Sequence, residues 1–118
     1  MFNASELRRR VSDHRIATKD VEASFGETFR IKQLNLLERD EYQLLAFGDD
    51  GKLRKDLMKG NKARLIAMCL IDPDTNTTFA DSDLIVLAFS IEQIDELFDA
   101  CVEFNNLKPK AKEEAAGN

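Results

Sequence analysis

Residues 65–107 constrain the fold more than any other part of the chain, because four segments follow one another there without a spacer. An apolar run, LIAMCLI, leads into an acidic turn, DPDTNTTF, and two helical patterns follow, DSDLIVLAF and SIEQIDELFDACVEFNNL. None of the four contains a credible catalytic group. This arrangement indicates a binding or assembly module, and no enzymatic activity is expected.

Length and composition indicate one globular domain. A chain of 118 residues can bury most of its apolar surface without disulfides or metal ions. Apolar residues make up 43% of it and charged residues 33%, a balance typical of folded soluble chains. The longest apolar run, Leu65–Ile71, is far shorter than the roughly 20 residues that a membrane-spanning helix needs. No transmembrane helix is therefore expected.

The N-terminal segment and the cysteines favour a reducing, cytoplasmic location. The segment MFNASELRRRVSD contains three arginines but no apolar region after them, so no secretory signal is expected. Cys69 and Cys101 are the only cysteines, and both lie inside apolar patterns. This placement predicts two buried hydrophobic side chains and not a disulfide or a metal pair.

Charge is unevenly distributed along the chain. Residues 1–64 hold 14 Lys and Arg against 11 Asp and Glu, a net +3, whereas residues 65–118 hold 3 against 11, a net −8. The two halves could neutralise each other within one fold or between subunits arranged head to tail, and the sequence leaves both open. An acidic chain without a basic stripe and without Trp is not expected to bind nucleic acid.

Two elements are predicted in the first 34 residues. The segment ELRRRVSDHRI can form a short helix capped by Ser5, and residues 1–17 are predicted to be a mobile arm or a docking helix. Alternating apolar residues then predict a β-hairpin with one apolar face around the turn Gly26-Glu27. The apolar positions of this hairpin are Val21, Ala23, Phe25, Phe29 and Ile31.

Two helices are predicted on either side of residue 50. Asn35 and Glu38 have the spacing of a helix N-cap and its capping acid. The pattern LLERDEYQLLAF then predicts a helix of about three turns that runs to Gly48. Its apolar side consists of Leu37, Leu44 and Leu45. The segment KLRKDLMKG predicts a second helix with a basic outer face, which ends at Gly60-Asn61.

The run Leu65–Ile71 is apolar at every position, so it can be a strand covered on both faces or a buried helical segment. The strand is favoured because a Pro-containing turn and a second strand-like run, Thr77–Phe79, follow at hairpin distance. Ser90 and Gln93 have the spacing of a capping box for the last helix. The apolar stripe of that helix consists of Ile94, Leu97, Phe98, Cys101, Val102 and Phe104.

Together these elements predict an α+β fold, a single domain in which small antiparallel β-hairpins pack with about four to five α-helices. The globular domain is expected to span residues 18–107. Residues 108–118, KPKAKEEAAGN, are predicted to be a disordered polar tail, because they contain nothing apolar larger than Ala.

Residues with catalytic or metal-binding chemistry are few, and no cofactor or metal is expected. His14 is the only histidine and is predicted to be a solvated surface residue among Arg and Asp. The acidic turn has part of the oxygen spacing of an EF-hand calcium loop, but Pro73 and Thr77 depart from that pattern. The oxygen-bearing positions are Asp72, Asp74, Asn76, Thr78 and Asp83. Asp and Asn beside Pro are also typical of a tight turn, which is the preferred interpretation.

The order of segments is more specific than any single motif. A hairpin leads into RIKQLNLLERDEYQLL, an apolar run continues as LIAMCLIDPDTNTTFADSDLIVLAF, and the helix IEQIDELFDACVEFNNL precedes a polar tail. Over residues 18–107 this order resembles the tail assembly chaperones of long-tailed bacteriophages, the class that includes the lambda gpG protein. The best agreement lies in the block Asp72–Leu84 and in the ending Asn105-Asn106-Leu107. The turn carries Asn76-Thr77 where relatives are expected to have Gly.

The resemblance implies a non-catalytic protein that coats the tape measure protein and recruits tail tube subunits during viral tail assembly. It also implies self-association into a ring or spiral in the host cell cytoplasm, and absence from the mature virion. Such families also make a longer, frameshifted product, and the polar tail here would suit the unshifted one. Two other functions remain open, a small cytoplasmic adaptor or regulatory domain that binds one partner, and a calcium-binding module.

Candidate contact residues fall into an apolar and a basic set. The apolar set consists of Phe2, Leu7 and Val11 on the arm and Phe47, which could equally be buried inside the domain. The basic set, which could meet the acidic half of a neighbour, consists of Lys52, Arg54, Lys55, Lys59, Lys62 and Arg64. Because an exposed ion pair contributes only about 0–1 kcal/mol, apolar residues are expected to provide the stable contacts.

Overall fold

Five helices and one four-stranded sheet form a single α+β domain within the residues that the computed structural model describes, 1–44, 52 and 60–107. The helices are α1 (Ala4–Asp13), α2 (Leu36–Leu44), α3 (Asn61–Cys69), α4 (Ser82–Ala88) and α5 (Ile91–Phe104). The strands are β1 (Thr18–Glu22), β2 (Thr28–Lys32), β3 (Leu70–Asp72) and β4 (Thr77–Thr78). The predicted fold class is confirmed. The predicted tail, residues 108–118, lies outside the described residues.

The sheet is antiparallel throughout, and its strands lie in the order β1-β2-β3-β4. Val21 of β1 pairs with Phe29 of β2, and Ile31 of β2 pairs with Leu70 of β3. In the β1–β2 turn Gly26 has a φ of +90°, a left-handed conformation that glycine adopts without steric cost. The predicted hairpin is confirmed, and its alternation places Phe29 and Ile31 in the core.

Helix α3 provides much of the core and contacts α2, α4, α5 and β4. Its buried residues are Ala63, Leu65, Ile66 and Cys69. The other buried residues are Ala23, Phe29, Ile31, Tyr42, Leu70, Ile71, Ile85, Leu97 and Cys101. The predicted burial of Cys69 and Cys101 is confirmed. A hydrogen bond with the Cys69 thiol, together with burial, raises the pKa of Cys101 above its ordinary value, so this thiol is protonated at neutral pH.

The strand predicted over residues 65–71 is wrong for most of its length. The run is helical through Cys69, and strand β3 begins only at Leu70. Helix α3 is covered on several sides, since Ala67 and Met68 are half-buried in addition to its fully buried residues. Its apolar residues therefore show no period that would distinguish a helix from a covered strand. The second strand was predicted correctly, because β4 pairs with β3 and places Thr78 opposite Ile71.

Reciprocal side-chain caps fix the starts of α2 and α5. The Ser90 hydroxyl accepts from the Gln93 N–H at 3.2 Å, and the Gln93 side chain accepts from the Ser90 N–H at 2.9 Å. This confirms the predicted capping box. Asn35 and Glu38 form the same reciprocal pair at the start of α2, over 2.8 and 3.0 Å. Both helix starts were therefore correctly located from the sequence.

The N-cap of α1 was predicted two residues too late in the sequence. Asn3 caps the helix, since its Oδ1 accepts from the Glu6 N–H at 3.0 Å. Ser5 lies inside the first turn. Because Asn and Ser are about equally good N-caps, composition alone did not distinguish the two positions.

The predicted apolar side of α2 is exposed. Leu37 and Leu44 are 78% and 67% exposed, and Tyr42 is the buried residue of the described helix. The Tyr42 hydroxyl accepts from Asn61 Nδ2 at 2.9 Å, so α2 meets α3 through its tyrosine side. Leu45 and the predicted helix over residues 53–59 lie outside the described residues.

The end of α5 is joined to the segment between β2 and α2 by the side chain of Asn105. Its Oδ1 accepts from the Leu34 N–H at 2.6 Å. Its Nδ2 donates to the Lys32 carbonyl at 3.3 Å and to the Cys101 carbonyl at 3.0 Å. The next residue, Asn106, has a φ of +54°, the left-handed conformation that commonly ends a helix. One amide therefore links the last helix to the sheet.

Candidate interaction surfaces

The arm residues predicted to make contacts lie at the surface. Phe2, Leu7 and Val11 are 55%, 54% and 73% exposed. Lys52 is also exposed. The remaining candidates of the predictions lie outside the described residues, namely Phe47, Arg54, Lys55 and Lys59. The apolar face of the arm is therefore open to solvent.

Helix α1 carries an apolar stripe between two arginines. Ala4, Leu7 and Val11 are spaced by three and four residues, so they lie on one face of the helix. At 100° per residue, Arg8 and Arg10 lie on either side of that face. None of the ten residues of α1 is buried. An isolated helix of this length is marginal in water, and most helices gain their stability by packing an amphipathic face.

A second exposed apolar surface covers α4 and the first residue of α5. We call it the α4 surface, and its members are Leu84, Val86, Leu87 and Ile91, which are 55%, 53%, 83% and 77% exposed. Ile85 is the buried residue of α4. Exposed apolar patches are typical of protein interaction sites, so the α4 surface is a candidate contact surface.

The sequence predictions missed the α4 surface, although a signal was present. The segment LIVLAF is apolar at every position. A helix of seven residues that packs on one side must leave part of such a segment exposed. The continuous apolar pattern therefore indicated a surface as well as a core element.

An open groove of about 610 Å³ lies between α2, α3, β4 and the beginning of α4. Its lining contains the apolar residues Ala67, Met68 and Ala80, the acidic residues Glu38, Glu41 and Asp81, and Arg64. Leu37 and Leu44 share a face of α2 with Glu41, at spacings of four and three residues. Leu37 and Leu44 therefore continue the surface of this groove.

The acidic character of the groove is maintained at neutral pH. Partial burial opposes ionisation of Glu38, but the Asn35 N–H and the Lys32 ammonium donate to its carboxylate and outweigh that effect. The pKa of Glu38 is consequently below its ordinary value. Lys32 Nζ lies 2.7 Å from Glu38 Oε2. The groove thus presents the ionised carboxylate of Glu38 beside apolar side chains.

Some of the opposite charges of the two halves meet within one molecule. Lys62 Nζ lies 2.6 Å from Asp95 Oδ1 of α5 and 5.4 Å from the centre of the Phe98 ring. Within the N-terminal half itself, Arg30 Nε of the hairpin lies 2.7 Å from Asp20 Oδ1, and this hydrogen bond lowers the pKa of Asp20. For Lys62, the charge is therefore neutralised within one fold, which is one of the two alternatives that the sequence left open.

The acidic turn forms a tight turn that uses its own oxygens. Asp72 Oδ1 accepts from the Asp74 N–H at 2.8 Å, and the Asp72 carbonyl accepts from the Asn76 N–H at 2.7 Å. Asn76 has a φ of +56°, a conformation that Gly or Asn adopts readily, which explains an Asn where Gly was expected. Asp83 lies instead in the first turn of α4. Within the described residues no cluster of metal-ligating side chains is present.

Comparisons of the chain with protein-family models, with curated proteins and with solved structures give no match. His14 is exposed. Among residues 1–44, 52 and 60–107, no helix has the length and apolar character needed to span a bilayer. The exposed surfaces of α1, the groove and α4 are therefore the features that bear on function.

Proposed function

We propose that this protein is a tail assembly chaperone of a long-tailed bacteriophage. In this role it self-associates, coats the tape measure protein and recruits tail tube subunits in the host cell cytoplasm, and it is absent from the finished virion. The observation that carries the proposal is the number of exposed apolar surfaces on one small domain: α1, the groove with its α2 leucines, and the α4 surface.

A coat along an extended partner requires several contacts on each subunit. A subunit must bind its neighbours and the partner at once, and each contact can be weak because linked contacts raise the overall affinity by avidity. Two contacts to neighbours and one to the partner require three separate surfaces. The arm, the groove and the α4 surface consist of different side chains, although the groove also reaches the first residue of α4, and they supply that number.

We assign the contact with the tape measure protein to the α4 surface. Leu84, Leu87 and Ile91 offer exposed aliphatic side chains on a short rigid helix and the start of the next. Such a surface can bind an apolar face of a helical partner without a sequence-specific polar pattern. That property suits a coat protein, which must bind the same long partner at many positions.

The test is co-expression with the tape measure protein of the same phage, followed by absolute mass measurement by light scattering. Complexes with many copies of this chain per tape measure molecule are expected. Leu84→Ser combined with Leu87→Ser should reduce the number of bound copies at least tenfold while the far-UV circular dichroism spectrum stays unchanged.

Leu36→Ser is the matched control, because Leu36 is a 71% exposed leucine whose neighbours on its face of α2 are Asp40 and Gln43. This variant should co-purify as the wild type does. A wild-type chain of fixed small mass that never co-purifies with the tape measure protein contradicts the proposal and favours a single-partner adaptor.

A further inference from the structure

We propose that the self-contact of this protein is made by helix α1 of one copy, which binds in the groove between α2, α3 and α4 of a second copy. The inference deepens the proposed function by naming how neighbouring subunits meet. It rests on the proposed function only for its biological purpose, since the contact itself needs no tape measure protein.

Helix α1 forms without packing its apolar face. Its cap is made by Asn3, and Arg9 pairs with Glu6 within the helix. These interactions stabilise a short helix only weakly. Leu7 and Val11 nevertheless stay more than half exposed. A weakly stabilised helix with an open apolar face gains stability when that face packs into a groove.

The arm and the groove have complementary charges. The arm, residues 1–17, carries four arginines against Glu6 and Asp13, and Arg8 and Arg10 lie along the two edges of its apolar stripe. The groove lining combines apolar side chains with three carboxylates and one arginine, and one of these carboxylates, Glu38, is paired with Lys32 at 2.7 Å. Glu38 and Glu41 come from the α2 side, and Asp81 comes from the start of α4. An apolar stripe edged by arginines therefore matches an apolar groove edged by carboxylates.

The path of the chain between α1 and the sheet indicates which copy supplies the helix. The link between α1 and β1 is extended at His14 and is held to the sheet, since the Ala17 carbonyl accepts from the Gln33 N–H at 2.9 Å. The link residues line a cavity of about 540 Å³ together with Glu38, which also lines the groove. The root of the arm thus lies next to the groove, yet no residue of α1 is buried. This geometry is that of an arm exchanged between neighbours.

An arm and a groove are two different surfaces, so their contact is heterologous. Each copy offers one arm and one groove, and the contact can therefore continue from subunit to subunit until a ring closes. An open series of such contacts forms a spiral. Either arrangement can follow an extended partner.

The experiment uses the full-length chain alone and measures mass by light scattering and sedimentation over a wide concentration range. The arm variant is Leu7→Ser with Val11→Ser, and its control is Arg9→Ser on the opposite face of α1. The arm variant should need at least tenfold more protein to associate, and Arg9→Ser should behave as the wild type.

The groove variant is Ala80→Arg, which puts a large cation among the groove residues. Glu41→Lys serves as a second groove variant, because Glu41 is fully at the surface and its replacement does not disturb the core. Each groove variant alone should remain a monomer. An equimolar mixture of an arm variant and a groove variant retains one intact arm and one intact groove. It should form a one-to-one dimer of twice the 13.4 kDa chain mass and no larger species.

Three results overturn the inference. The first is an arm variant that associates at the same protein concentration as the wild type. The second is an equimolar mixture of arm and groove variants that stays monomeric. The third is a monomeric wild type whose arm amides are protected from hydrogen exchange, which indicates that α1 docks in the groove of its own chain. A wild type that associates through its arm but does not bind the tape measure protein would leave this inference standing and contradict the proposed function alone.

Discussion

Replacing Asn105 with Ala should destabilise the fold through the loss of one long-range amide. The Leu34 N–H, which donates to Asn105 Oδ1 over 2.6 Å, would lose its acceptor in a partly buried place. An unsatisfied buried donor costs about 1–3 kcal/mol. The Lys32 carbonyl would lose a weaker donor at 3.3 Å. The Cys101 carbonyl loses little, because it still accepts from the Asn105 backbone N–H at 3.0 Å.

Together these losses give an expected decrease of about 2–3 kcal/mol in the free energy of unfolding. For a domain of this size, that corresponds to a decrease of about 8–12 °C in Tm. Urea unfolding followed by far-UV circular dichroism measures the change, and the slope with urea should stay as in the wild type. Hydrogen exchange should show lost protection of the Leu34 amide.

Asn106→Gly is the matched control for Asn105→Ala. Asn106 is exposed and has a φ of +54°, so glycine suits its backbone and the stability should stay the same or rise by up to about 1 kcal/mol. The reasoning fails if Asn105→Ala costs less than about 0.5 kcal/mol with the Leu34 amide still protected, because the side-chain bonds would then contribute nothing.

Three further predictions concern charge, the core and the β3–β4 turn. The pKa of Glu38 is lowered in the fold, so its ionised carboxylate stabilises the folded state above the unfolded pKa, and this stabilisation is lost as the pH falls through the folded pKa. Glu38→Gln should therefore be less stable than the wild type at pH 7. The unfolding curves of the two proteins should converge at acidic pH. Leu65→Ala removes a fully buried side chain and should cost about 2–5 kcal/mol in chemical denaturation, and a smaller loss would contradict its central position. At position 76, where φ is +56°, Asn76→Ala should destabilise by about 1 kcal/mol and Asn76→Gly should not, and equal stabilities would argue against a left-handed residue there.

The elements predicted correctly are those whose determinants are close together in sequence. Ser90 and Gln93 are three residues apart and satisfy each other, so their spacing identified a helix start without tertiary information. Asn35 and Glu38 did the same for α2. The hairpin around Gly26 was likewise indicated by local alternation and a turn residue.

The elements predicted wrongly depend on which sides of an element are covered. Residues 65–69 are apolar throughout because α3 is packed on several sides, and this leaves no periodicity to read. The leucines of α2 have helical spacing, yet the buried contact is made by Tyr42 with Asn61. The position of Asn105 between α5 and β2 joins residues about 70 positions apart, a relation that one sequence does not contain.

The candidate surfaces also divide into those that local sequence indicates and those that depend on the tertiary fold. Helical spacing was sufficient to identify Leu7 and Val11 as one apolar face, and the structure places both at the surface. The groove was not predictable, because α2, α3 and α4 contribute to it from separate parts of the sequence. The α4 surface was indicated by composition but needed the fold to show which side of the helix is covered.

The two outer strands of the sheet have a consequence for how copies of this protein can stack. Outer strands offer unpaired backbone groups, and long apolar ones add further chains and seed amyloid-like fibrils. Here β4 has only two residues, and β1 has the sequence TKDVE, in which three of five side chains are charged. Both strands are therefore poor templates for another chain. Copies of this chain at high local concentration should therefore resist irreversible cross-β growth through these two strands.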